Sequence, residues 1–280
     1  MVAGGVVVLS FEGVIVRSLH LDQWTILLLR GPLMASGLVL LFRLGWRHGP
    51  LAGLRAAGRL GLLAAGLFAA DNLLFIIALR TTSVANTLVL LATAPIFAGL
   101  LGRAVLGERP PARTWAATVV VLAGVGVIVA GSRGQGHLLG DLAALGAAGS
   151  IAGTLVLVRL GRQVVLLPSM ALGALGAALV AAPLAHPGSL GGRDALLLVL
   201  VGLVIAPLAF GAILVGPRHL PAQEVSLLML GETVLGPLWA WLLLGQAPEA
   251  ATLGGGALIV AALLAHALLG IRRPMLARGA

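Results

Sequence analysis

The stretch TTSVANTLVLLATAPIFAGLLGRAVLGERPPARTWAATVVVLAGVGVIVAG, from Thr81 to Gly131, decides the fold because its layout recurs 138 residues further along the chain. Each copy has an apolar segment with an internal proline, a Leu-Gly turn, and a closing segment rich in Gly and Ala. The matching turn residues are Leu106, Gly107 and Pro110 in the first copy and Leu244, Gly245 and Pro248 in the second. The pattern predicts an internal duplication.

The composition is that of an integral membrane protein. The 280 residues are 60% hydrophobic and 10% charged, with a mean hydropathy of +1.11, whereas a soluble domain has about 25% charged residues. The basic excess is all Arg and is spread over short loops, so it does not form a patch that would bind nucleic acid. Because the chain has no cysteine, disulfides and thiolate metal ligands are excluded.

Ten apolar segments have roughly the 17 to 25 residues needed to cross the hydrocarbon core. We place them at about 1–18, 23–42, 59–79, 82–106, 112–131, 138–158, 166–185, 194–216, 220–244 and 250–271. The linker 132–137 divides the chain into two five-helix repeats, 1–131 and 138–271, and residues 272–280 form a tail. The predicted fold is therefore an all-α membrane protein with ten transmembrane helices.

The distribution of Arg predicts the orientation of these spans. Of the 18 Arg residues, 13 lie in the loops after spans 2, 4, 6 and 8 and in the tail, four lie in the loops of the opposite side, and Arg30 lies within a span. Positive residues in short loops stay on the cytoplasmic side. Both termini are therefore predicted to be cytoplasmic. Since each half has an odd number of spans, the two halves form an inverted repeat.

Several motifs occur in a characteristic order. They are Ala78-Leu79-Arg80-Thr81-Thr82, Pro95 in mid-helix, Leu106-Gly107-Glu108, Gly140-Asp141-Leu142, Gly231-Glu232 and Pro237-Leu238-Trp239. Together they resemble the EamA type of the drug/metabolite transporter superfamily over essentially the whole chain. The resemblance implies a ten-helix secondary transporter of the bacterial inner membrane, commonly an exporter of amino acids or similar metabolites. Gln246 departs from it, because many relatives have a Glu there that matches Glu108.

A charge within a span is expensive and usually faces a cavity or a partner, and four such residues stand out. They are Glu12, Arg30, Asp71 and Glu232. We expect all four to reach one central cavity between the repeats. Two interpretations of Arg30 stay open: a structural ion pair with Glu12 or Asp71, or a ligand for a substrate carboxylate while an acid binds an amino group or a proton.

Glu232 is the strongest single candidate for substrate binding and for proton coupling. Gly236 and Trp239 share its helix face, which offers a carboxylate, a gap and an aromatic wall to a small zwitterion or cation. The alternative for Trp239 is that it anchors the span end at the membrane interface.

Weaker candidates lie in spans 3 and 4. Asp71 is accompanied by Asn72 and Phe75, and Asn86 shares a face with Thr93. Alternatively, Phe75 is a packing residue, and Asn86 and Thr93 are ordinary hydrogen-bonding contacts between helices.

The expected function is secondary transport of a small metabolite across the lipid bilayer by alternating access, with protons as a candidate coupling ion. Inverted repeats are typical of such transporters, and Pro95 and Pro237 are expected to interrupt equivalent helices. Organic-cation or drug efflux is an alternative, because three buried acids accompany one Arg. A membrane scaffold or an enzyme is a further alternative, but no catalytic array, His pair or phosphate loop is present, so we expect no cofactor, metal or enzymatic activity.

Overall fold

The computed structural model describes residues 1–46, 49–81, 87, 90–130, 138–186, 188, 190–245 and 250–271. This part of the chain is helical and contains no β-strand. The α-helices are α1 (Val2–Arg17), α2 (Gln23–Gly45), α3 (Pro50–Thr81), α4 (Ala94–Leu106), α5 (Ala112–Ala130), α6 (Leu138–Leu160), α7 (Leu167–Ala181), α8 (Gly192–Val199), α9 (Ala206–Ile213), α10 (Gly216–His219), α11 (Ala222–Met229), α12 (Glu232–Leu244) and α13 (Ala250–Ile271). A π-helical segment, Leu200–Ile205, joins α8 to α9.

The lengths and apolar character of the helices agree with a membrane protein. Six described segments are long and apolar enough to cross a bilayer: Gln23–Gly45, Pro50–Ala78, Leu138–Leu160, Leu167–Leu184, Gly192–His219 and Ala222–Leu243. Four shorter apolar helices accompany them: Val2–Val16, Ala94–Leu106, Ala112–Val127 and Leu253–Leu269. The all-α membrane prediction is confirmed, while the count of ten spans and the inverted repeat stay predictions.

Small residues allow the central helices to approach each other closely. A Cβ atom on Gly173 of α7 would lie 2.5 Å from the carbonyl oxygen of Ala65 on α3, and one on Gly37 of α2 would lie 2.5 Å from that of Leu203. Without a hydrophobic force between helices in lipid, close packing of this kind holds them together. The core therefore forms where α2 and α3 cross α7 and the π-helical segment.

The remaining helices are arranged around this core. Helix α3 also packs against α6, and α1 packs against α9 and α12. Helix α4 lies between α6 and α11, while α5 and α13 pack mainly against each other. The first and second halves of the chain are therefore joined along most of their length.

The Leu-Gly turns found in the sequence have the same backbone conformation. Gly107 ends α4 with φ 66°, and Gly245 follows α12 with φ 68°. Their amide groups donate to the carbonyl oxygens of Arg103 and Trp241, at 3.1 and 3.0 Å. A left-handed residue that closes a helix in this way is usually glycine, because a Cβ would be strained there. This requirement explains why the two glycines match at a shift of 138 residues.

Spans 4 and 9 are both interrupted: Pro95 stands in the first turn of α4, directly after the first break, whereas Pro237 does not mark the second. The helical pattern breaks at Ala92–Thr93 before α4 and at Leu230–Gly231 before α12, again 138 residues apart. The sequence-based placement of the second break at Pro237 is wrong, because that residue lies inside α12. Near each break a Thr hydroxyl donates to a leucine carbonyl three residues earlier, Thr93 to Leu90 at 2.5 Å and Thr233 to Leu230 at 2.7 Å. A backbone carbonyl near each break thus accepts a hydrogen bond from a side chain.

Candidate functional site

The structure joins the charges of the first two helices. Arg30 of α2 forms an ion pair with Glu12 of α1, and their side chains are only 15% and 14% exposed. The second carboxylate oxygen of Glu12 and the Nε of Arg30 are buried and have no hydrogen-bond partner within the described residues. One edge of each group is therefore still available for a ligand.

Asp71 and Glu232 belong to the same electrostatic cluster. Arg30 is near enough to act on both carboxylates, and Glu12 acts on Glu232. Both acids are half-buried, and neither has a hydrogen-bond or ion-pair partner in the part of the chain that the structure describes. Helices α1, α2, α3 and α12 thus bring the four charged residues named from the sequence into one region.

Trp239 forms the aromatic wall of this region. Its indole Nε1 donates to the hydroxyl of Ser10 at 2.8 Å, and its ring stacks on Phe11 with centroids 4.3 Å apart and planes inclined by 21°. Ser10 in turn donates to the carbonyl oxygen of Val7 at 2.7 Å. The indole N–H is therefore bonded to α1, which ties Trp239 to a neighbouring helix.

Sequence reasoning missed Ser10 and Phe11 as site residues. They directly precede Glu12 in α1, and this polar and aromatic run in an otherwise aliphatic helix was the available signal. The connection of this run with Trp239 depends on the packing of α1 against α12, which the sequence does not reveal.

The weaker candidates have more local roles. The amide of Asn72 donates to the carbonyl oxygen of Phe68 at 2.8 Å, and Thr93 bonds to its own preceding turn. In the described residues both side chains bond within their own helix, and their assignment to the substrate site stays a prediction. Phe75 is half-buried, and Asn86 lies outside the described residues.

A second polar cluster links the peripheral helices. Arg113 of α5 lies 3.8 Å from Glu224 of α11 and donates to the carbonyl oxygen of Leu269 in α13 at 3.1 Å. Thr114 approaches the same carboxylate at 3.5 Å. The cluster joins three helices, and each charge in it has a partner. This is expected for a structural contact within a membrane protein.

Two pockets among the described residues are lined by none of the four charged residues. One has a volume of about 40 Å³, is lined by Trp46, Leu214 and Arg218 among others, and is too small for a metabolite. The other is an apolar groove between α3 and α7. Among the described residues no cluster of His, Cys, Asp or Glu could hold a metal ion.

Comparisons with known proteins agree with the resemblance in the sequence. The EamA-like transporter family matches residues 1–130. The "Uncharacterized transporter YwfM" of Bacillus subtilis (strain 168) is 41% identical over 93 residues, which span 32% of this chain and 31% of that protein. A solved structure described only as "Crystal structure of protein" superimposes with a TM-score of 0.83 at 19% identity, over 96% of each chain, and so has the same fold. The matched part is just under half of this multi-pass membrane protein, and together with the transporter-named relative it supports a membrane transporter.

Proposed function

We propose that the protein is a secondary transporter of small metabolites that carry an amino group, with amino acids as the favoured class. The observation that carries the proposal is the meeting of Glu12, Arg30, Asp71 and Glu232, contributed by four helices of a membrane protein. Charged groups at membrane depth are costly and are kept where they bind ions or substrates. The substrate-binding region therefore lies between the two halves of the chain.

The charge balance indicates what this region binds. Arg30 and Glu12 neutralise each other, which leaves the carboxylates of Asp71 and Glu232 to receive a substrate ammonium group or a proton. The free Nε edge of Arg30 is oriented as a second donor for a carboxylate, which guanidinium groups bind well. A zwitterionic amino acid would use both kinds of group.

The repeated geometry supports alternating access as the mechanism. The left-handed turns at Gly107 and Gly245 and the breaks at Thr93 and Gly231 correspond at one shift of 138 residues. The packing supports two equivalent halves. Helix α3 of the first half contacts α6 and α7 of the second, and the segment from α8 to α10 of the second half contacts α1 and α2 of the first. Many secondary transporters have antiparallel halves around a central site, and these halves expose the site to each side of the membrane in turn. Together with the family resemblance, this favours a multi-pass exporter of the bacterial inner membrane.

Organic-cation efflux is the second candidate function. Phe11 directly precedes Glu12, and Trp239 shares a helix face with Glu232. Their two rings stack, and an aromatic face with nearby carboxylates attracts organic cations. This function would use the acids and aromatics but not the free edge of Arg30.

Proteoliposomes distinguish the candidates. The purified protein is tested for uptake of amino acids, of their methyl esters, and of aromatic quaternary amines, with and without a pH gradient. Transport of the acids but not of their esters supports the amino-acid proposal, because the ester keeps the ammonium group and removes the carboxylate. Preference for esters and quaternary amines supports cation efflux. If no compound in the panel is moved above protein-free vesicles, the transport proposal fails and a scaffold becomes the better interpretation.

A further inference from the structure

An ion-pair network joins the two halves on the predicted cytoplasmic side. Glu108 follows the turn that ends α4, and its carboxylate accepts a hydrogen bond from Nε of Arg159, in the last turn of α6, at 2.7 Å. The Nη1 of the same guanidinium donates to the carbonyl oxygens of Pro217 and Arg218 at 3.3 and 3.2 Å. One side chain thereby connects three chain segments.

Arg218 completes the network from the opposite direction. Its Nε donates to the carbonyl oxygen of Arg162, and its Nη2 to that of Val164, at 3.1 and 3.5 Å. The connection after α6 and the helix α10 therefore hold each other by reciprocal Arg-to-backbone contacts. Glu108 attaches the first half of the chain to these two segments of the second half.

The network differs from an ordinary surface ion pair. The side chains of Glu108 and Arg159 are 23% and 16% exposed, and the guanidinium has three acceptors. Exposed pairs contribute little because water and salt screen them, whereas hydrogen bonds to charged, partly buried groups are stronger. The pair is suited to hold two segments together.

Among the described residues, the opposite side shows no equivalent ion pair. At the shift of 138 residues, Glu108 corresponds to Gln246, which lies outside the described residues, and Arg159 corresponds to Leu21. The charged contact between halves that the structure shows on that side joins His20 to Asp194 at 3.6 Å, with His20 77% exposed. In the part of the chain that the structure describes, the stronger connection between the halves therefore lies on the predicted cytoplasmic side.

We propose that Glu108 and Arg159 form a latch that keeps the cytoplasmic side closed in this conformation and opens to admit substrate from the cytoplasm. The inference rests on the proposed alternating-access function. The latch acts by stabilising one conformation and is not part of the substrate-binding region. Its loss shifts the population toward the cytoplasm-open state, because an interaction present in only one of two states biases their equilibrium.

The absence of native cysteine makes a direct accessibility test possible. Thr93→Cys places a single thiol at the break before α4, and its reaction with a membrane-impermeant maleimide is timed in inside-out and right-side-out vesicles. Adding Glu108→Gln is expected to raise the rate from the cytoplasmic side by roughly threefold or more and to lower it from the other side, since a charge-assisted bond is lost from the closed state. Arg109→Gln is the matched control, because Arg109 lies in the same loop and is exposed.

A second variant keeps the test independent of one substitution. Arg159→Gln is expected to change labelling in the same direction as Glu108→Gln, and the double variant is expected to add little to either. Equal labelling in Glu108→Gln and Arg109→Gln overturns the latch, as does a rise from both sides, which would indicate general loosening. Because labelling needs no substrate, a protein that labels as expected but moves no solute contradicts only the proposed function. A protein that transports but labels unchanged contradicts only the latch.

Discussion

Spans 4 and 9 have the same backbone design and different chemistry. Both break at corresponding residues, Ala92–Thr93 and Leu230–Gly231, and both end in a left-handed glycine. Immediately after the break, however, span 9 has Glu232 where span 4 has Ala94. The comparison indicates that the two segments share a backbone framework, whereas the charge that we propose binds substrate stands where the two segments differ.

The largest expected effect comes from removing the charge that distinguishes span 9. Glu232→Gln keeps the size of the side chain, so we expect normal expression but loss of most transport in proteoliposomes and a flattened pH dependence. Glu224→Gln is the matched control in the same span, because its carboxylate contacts Arg113 away from the central charges. We expect this control to lower thermal stability more than transport. Wild-type transport and pH profile in Glu232→Gln would assign Glu232 a structural role.

The close helix crossings test whether the two halves share their packing. Gly37→Ala and Gly173→Ala each place a Cβ about 2.5 Å from a backbone oxygen, so each is expected to destabilise the protein by about 1–3 kcal/mol. Gly149→Ala, which meets no atom within 4 Å, is expected to be neutral. Thermal unfolding in detergent measures all three. A neutral Gly173→Ala beside a destabilising Gly37→Ala would argue against equivalent crossings.

The left-handed turns give a second test of whether spans 4 and 9 are equivalent, with a smaller expected effect on stability. Gly107→Ala and Gly245→Ala are each expected to cost about 1–2 kcal/mol, because an L residue is strained at positive φ. The control is Gly236→Ala, within α12 and without a neighbouring atom in the way. Melting temperatures should fall by similar amounts in the two turn variants. A clear inequality would show that only one turn is constrained by its surroundings.

The smallest effect is expected at the start of α2. Burial acts to raise the pKa of Asp22, but hydrogen bonds from Thr25, from the backbone of Trp24 and from that of His186 outweigh it and hold that pKa below its usual value. The resulting stabilisation is fully present above the unfolded pKa of about 4 and is lost as pH falls through the folded value. Asp22→Ala should therefore lower stability by about 1 kcal/mol at pH 7 and by less near pH 3. An equal loss at both pH values would contradict this cause.

Hydropathy and turn chemistry predicted the helices well for physical reasons. Each proposed span overlaps a helix, because in lipid a segment must satisfy its backbone hydrogen bonds internally. Gly107 and Gly245 were recognisable because their conformation requires glycine. The break at Gly231 was missed, since a proline within a membrane helix is tolerated when neighbouring groups satisfy the backbone, and Pro237 is such a case.

The candidate site was only partly readable from the sequence. The charged residues were identified because few buried charges occur without a reason. The bonds that Asn72 and Thr93 make to their own helices could not be foreseen, because such a side chain looks the same in sequence as one that bonds to another group. Ser10 could not be connected with Trp239, since that contact depends on how α1 packs against α12.

Because spans 4 and 9 are broken, the carboxyl-terminal segment of each can rotate about its break as a rigid arm. Helices α4 and α12 both have 13 residues, so each is an arm of about 20 Å between the break and the glycine turn. A rotation of about 10° at the break would displace the tip by about 3 Å, which is the reach of one hydrogen bond. The arm of α4 ends at the turn that carries Glu108, so a small rotation beside the central charges is enough to make or break its contact with Arg159.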